Sequence, residues 1–178
     1  MDILGAFRIP VSALKAGEAA YSWTLGPDFF TAIDEDHPAP DGGFHATMAL
    51  QRTAALVTME FAIEGHLLTL CDRCTAPITI PVTGEYQVIL KPGNPDDSTD
   101  EVIYYEPEAT YISVAQLVYD FAILSIPITR RLDGCESLDP APCDATVLSY
   151  LRKSEEEALQ LRKESGNPWD DLKKVFDN

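Results

Sequence analysis

Cys71-Asp72-Arg73-Cys74 puts two thiols at a spacing that suits one zinc ion or one redox pair. A structural zinc site needs four ligands in a tetrahedron. The chain has two further cysteines, Cys135 and Cys143, more than sixty residues later. Seven residues separate them, Pro140 and Pro142 included, so they form no second knuckle. A four-thiolate site from Cys71, Cys74, Cys135 and Cys143 therefore requires the later loop to fold back onto the first pair. A redox role would use Cys71 and Cys74 alone, with Arg73 available to lower a thiol pKa. Thioredoxin-type sites, however, lie between a parallel strand and a helix N-terminus, and this motif lies between two β segments. A tight turn with buried, inert cysteines is the third reading. The spacing leaves all three open.

Other chemistry is sparse. His37, His45 and His66 have no metal-ligand spacing, although His66 stands close enough to Cys71 in the chain to be considered as a ligand. No Ser/His/Asp set, glycine-rich phosphate loop or paired-carboxylate motif occurs. The acidic runs Asp34–Asp36, Asp96–Asp97 and Glu155–Glu157 read as solvated faces. Arg130-Arg131 is too small a basic group to argue for phosphate. The expectation is a protein that is not an enzyme.

The 178 residues carry 13 Lys and Arg against 29 Asp and Glu, a net charge of −16. Nonspecific nucleic-acid binding rests on many basic contacts to phosphate, and binding to anionic membranes on polybasic segments. The charge opposes both and suits a basic protein partner. No stretch reaches the ~20 apolar residues of a membrane helix. The start Met1-Asp2-Ile3-Leu4-Gly5 lacks the basic and apolar regions of a signal peptide. A cytoplasmic location with reduced thiols is expected.

These groups must be carried by a mainly β framework. Ala6–Val11 and Ala20–Leu25 read as short strands, the second closed by Gly26-Pro27, with a loop over residues 34–43. Two more strands are expected near Phe44–Gln51 and Ala55–Glu64. In the latter, Val57, Met59, Phe61 and Ile63 alternate with Thr58, Glu60, Ala62 and Glu64, as in a sheet with one wet face. Gly65-His66 reads as a turn. Ile78–Leu90 reads as a strand pair or long hairpin with a bend at Thr83-Gly84. A loop over Lys91–Asp100 and a short strand Val102–Tyr105 follow. The period then changes: Ser113-Val114-Ala115-Gln116 has the form of a capping box. Val114, Leu117, Val118, Phe121 and Leu124 follow at helical spacing, and Pro127 stops the helix. Thr146–Glu164 reads as a charged helix ended by Gly166. A last short helix, Asn167–Phe176, places Trp169, Leu172 and Phe176 on one apolar face. That face either docks on its own domain or binds a partner. The expectation is an α+β fold. An antiparallel, bent or barrel-like sheet is packed by one buried helix and followed by a helical tail. The domains are residues 1–145 and 146–178.

Several of these features, in this order, resemble the YceD family, also called the large ribosomal RNA subunit accumulation family, in the variant found in Bacteroidetes-type bacteria. They are Phe29-Phe30 after a strand, Phe61-Ala62-Ile63-Glu64-Gly65 leading to Cys71-Asp72-Arg73-Cys74, the helix Ser113–Phe121 running into Leu124-Ser125-Ile126-Pro127, and the closing Asn167-Pro168-Trp169-Asp170-Asp171-Leu172-Lys173. The resemblance implies a non-enzymatic role in making or accumulating large-subunit ribosomal RNA. Family genes commonly neighbour the gene of a small basic large-subunit ribosomal protein. It also implies zinc held by two Cys-x-x-Cys pairs in many members. Here Cys135 and Cys143 stand in place of the second pair. The expected partner is a basic ribosomal protein or assembly factor, with direct RNA binding opposed by charge. The alternative is a thiol-redox or zinc-binding module built on Cys71 and Cys74.

Overall fold

Apolar alternation over residues 57–63 continues on both neighbouring strands, and the result is a sheet with one buried face. The computed structural model describes residues 3–165, apart from 16, 37–39, 54–55 and 133. The short β1 (Arg8–Pro10) follows a 3-10 turn over Ile3–Phe7 and pairs antiparallel with β7 (Tyr111–Ser113). The main sheet has the order β2 (Glu18–Leu25), β3 (Gly42–Arg52), β4 (Val57–Leu70), β5 (Pro77–Pro92), β6 (Val102–Tyr105). β2, β3 and β4 are antiparallel, whereas β6 runs parallel to β5. The sheet is thus mixed and stays open rather than closing into a barrel. The helices are α1 (Pro27–Ile33), α2 (Ala115–Leu124) and α3 (Ala145–Ser165), so the class is α+β.

Register places Met48 opposite Phe61 and Ala46 opposite Ile63 on the buried face. Ile80, Val82, Val88 and Leu90 of β5 are buried with them. Fully burying each large side chain of this kind contributes about 1.5–3 kcal/mol. α2 covers part of this face: the Phe121 ring lies 5.1 Å from Phe61 and stacks on Tyr86 at 4.3 Å. A second aromatic group joins Phe7, Trp23, Phe29, Phe30 and Phe44.

Three sequence expectations change, those for Gly65-His66, for residues 78–90 and for the start of the helix after β7. Gly65-His66 is not a turn, because β4 runs through it from Val57 to Leu70. A Cβ on Gly65 would run into the Gly43 carbonyl, so this glycine marks a close approach of strands. Residues 77–92 form one long strand rather than a hairpin. Phe29-Phe30 follow β2 as expected, and they lie in α1, where Pro27 occupies the first turn. α2 lacks a capping box: Val114 is its N-cap with no side-chain hydrogen bond, and Ser113 ends β7. The buried face of α2 is Ala115, Val118, Phe121 and Ala122, while Leu124 is 68% exposed. Val114, Val118 and Phe121 of the expected apolar face are thus buried, with Ala115 and Ala122 beside them.

The chain divides into two compact units. One comprises residues 1–69 and 79–130, and the other comprises residues 70–78 and 131–178. Among the described residues, no helix is long and apolar enough to cross a membrane.

Candidate functional site: four cysteines in one unit

Residues 70–78 belong with residues 131–178, and this grouping collects all four cysteines in one unit. The connection between β4 and β5 is closed by two hydrogen bonds. The Cys71 amide donates to the Ala76 carbonyl at 2.8 Å, and the Thr75 amide donates to the Cys71 carbonyl at 2.9 Å. Reversal within so few residues forces Thr75 to φ 58°, a region that β-branched residues seldom enter. The Thr75 hydroxyl donates to the Cys74 carbonyl at 2.8 Å. The turn leaves Cys71 and Cys74 only 2% and 1% exposed.

Cys135 opens a 3-10 turn, Cys135–Ser137, after Gly134 in the left-handed region at φ 65°. Cys143 lies one residue before Asp144, the N-cap of α3. The Asp144 carboxylate accepts from the Thr146 and Val147 amides at 2.8 and 3.1 Å. The Cys143 thiol donates to the Cys135 sulfur at 3.1 Å.

The two pairs meet. Hydrogen bonds from the Ala76 and Asp144 backbone, followed by contacts from the Cys71 and Cys143 side chains, hold the Cys74 thiol below its ordinary pKa against the effect of burial. Cys143 shifts the other way, to about 12, because it is hydrogen-bonded to Cys135, desolvated and close to the charge of Cys135 and Cys74. Cys71, Cys74, Cys143 and Cys135 thus form a continuous sulfur chain, with all four cysteines free. The later loop thus brings Cys143 and Asp144 beside Cys74. Even so, among the described residues no group of three or more His, Cys, Asp and Glu side chains stands ready-formed as a metal cage.

The other sequence-derived candidates do not join this cluster. His66 belongs to β4 in the other unit, and its ring lies against the Gly43 position. His45 is exposed on β3, and His37 lies outside the described residues. Trp169, Leu172 and Phe176 also lie outside the described residues. Asp144 was missed by sequence reasoning. Its signal is the Asp-x-Thr start of a helical pattern, one residue after a cysteine.

A family profile described as "Large ribosomal RNA subunit accumulation protein YceD" matches residues 59–176. The chain belongs to the YceD family. The match runs from within β4 through the Cys-x-x-Cys turn and α2 to the closing Asn-Pro-Trp segment. No curated protein and no solved structure matches the chain. The family's description implies a role in large-subunit ribosomal RNA accumulation and names no reaction.

Proposed function

We propose that this YceD-family chain is a non-enzymatic ribosome biogenesis factor. It supports accumulation or processing of large-subunit ribosomal RNA in the cytoplasm by binding a basic ribosomal protein or assembly factor. The family match over residues 59–176 carries this reading. The net charge of −16 supports a basic protein partner over direct contact with RNA. Deleting the gene should lower the large-subunit peak in ribosome profiles, and the tagged protein should retain a large-subunit protein or precursor particle. Normal profiles together with an empty pulldown would sink the reading.

A second reading concerns the cysteines. We propose that Cys71, Cys74, Cys135 and Cys143 hold one zinc ion whose role is structural, tying the Cys-x-x-Cys turn to the start of α3. The Cys143–Cys135 contact and the backbone hydrogen bonds to the Cys74 thiol support it. Metal analysis of the purified protein should give about one zinc per chain, and removal by chelator should lower the melting temperature. Four titratable thiols in metal-free native protein, with unchanged stability, would leave only an inert turn. A thiol-redox role meets the burial of Cys71 and Cys74, which denies a partner disulfide access. Cys71→Ser/Cys74→Ser separates the two roles, since a redox role predicts lost disulfide-reducing activity and a structural role predicts lost stability.

A further inference from the structure

The main sheet is covered on one face. On the other, alternate residues of β2 to β5 meet solvent: Ala20, Ser22, Thr47, Glu60, Glu85 and Gln87 are all exposed. Register aligns Ala20 with Ala49 and Ala49 with Glu60, then Ser22 with Thr47 and Thr47 with Ala62. Small side chains therefore floor the middle of the face. The result is a hollow of ≈ 470 Å³ lined by Thr47, Ala49, Glu60, Ala62, Glu85 and Gln87. Gln87 donates to Glu60 at 3.4 Å across its rim.

Charge on this face is one-sided. Glu18, Glu60, Glu64 and Glu85 occupy outward positions, with His45 and His66 between them. Lys91, at the end of β5, is the single Lys or Arg at outward positions of these strands. The imbalance extends through the unit that contains the sheet. Its residues 1–69 and 79–130 include five Lys and Arg against 17 Asp and Glu, −12 of the total −16. RNA phosphate would be repelled here. A lysine or arginine suits both surfaces, its aliphatic stem lying over alanine while its head reaches a rim carboxylate.

We propose that the outer face of β2–β5 is the docking surface for an extended, lysine- and arginine-rich segment of a protein partner. The proposal deepens the ribosomal reading and rests on its choice of a basic protein partner. The direct probe is a fluorescent peptide of alternating lysine and serine, titrated with the full-length chain at low salt. Glu60→Gln/Glu64→Gln/Glu85→Gln should weaken binding roughly tenfold or more. Glu155→Gln/Glu156→Gln/Glu157→Gln removes the same charge from exposed positions of α3 and should change it by less than about twofold. Ala62→Phe fills the hollow without altering charge and should also weaken binding, with circular dichroism verifying that each variant is folded. Equal losses in both glutamine variants, or no binding by the wild type, overturn the proposal. So does a precursor-RNA fragment that binds the wild type and loses affinity in Ala62→Phe. A pulldown of large-subunit proteins separates the two ideas. Undiminished capture by the triple face variant overturns the surface and leaves the ribosomal role standing. Peptide binding without any capture by the wild type overturns the ribosomal role and leaves the surface standing.

Discussion

Thr75 concentrates the geometry of the cysteine turn in one residue. Its φ of 58° brings Cβ close to the following carbonyl, a conformation that disfavours side-chain-bearing residues by roughly 1–2 kcal/mol. Thr75→Gly and Thr75→Ala both remove the hydroxyl, and they differ only in Cβ. Chemical denaturation should find the glycine variant more stable than the alanine variant by about 1 kcal/mol. The reverse order would mean that the turn relaxes elsewhere. The turn itself was legible from Cys-x-x-Cys spacing. The meeting of Cys135 with Cys143 was not, because an irregular loop leaves no period to read.

At the scale of elements, Gly84 decides how closely β5 and α2 approach. A Cβ there would collide with Ser125 Oγ and meet the Tyr86 ring at 2.8 Å. Ser125 donates to the Phe121 carbonyl at 2.7 Å, which leaves the Tyr86 hydroxyl to donate to Ser125 at 3.0 Å. Gly84→Ala should destabilise by about 1–3 kcal/mol, as overpacking does. The loss should be smaller in a Ser125→Ala background, where the hydroxyl is gone, and thermal melts of the four proteins in that cycle measure the coupling. Between α1 and α2, the Tyr119 hydroxyl donates to Asp34 at 3.3 Å. Burial, then the Asp34 charge and hydrogen bond, push the Tyr119 pKa up. A folded pKa above the unfolded one stabilises fully below the unfolded tyrosine value near 10 and is lost as pH rises through the folded value. Stability should therefore fall more steeply above pH ~10 in the wild type than in Tyr119→Phe. The period-2 pattern of residues 57–63 was enough to place the central strand. It failed at Gly65, where a residue common in turns serves a close strand approach; on α2 the helical spacing placed Val114, Val118 and Phe121 in the core and misplaced Leu124.

For the whole molecule, the surplus of acid lies mainly in the sheet-bearing unit rather than in the C-terminal region. Self-repulsion of this size opposes compaction and is screened by salt. Raising ionic strength from low to physiological should lift the melting temperature by roughly a few degrees, and an unchanged value would show that the surface carboxylates are already compensated. Composition alone revealed the charge. Its place on one uncovered sheet face needed the strand register.

The grouping of residues 70–78 with residues 131–178 also has a consequence in time. During synthesis Cys74 leaves the ribosome long before Cys135. At 5–20 residues per second, the 61-residue gap between them amounts to roughly 3–12 s. Over that interval the strands on either side of the turn are already made, while the first two thiols still lack the other two. The nascent chain thus passes through a stage in which half of a sulfur cluster waits for the rest, and the order of translation decides which pair meets the cell first.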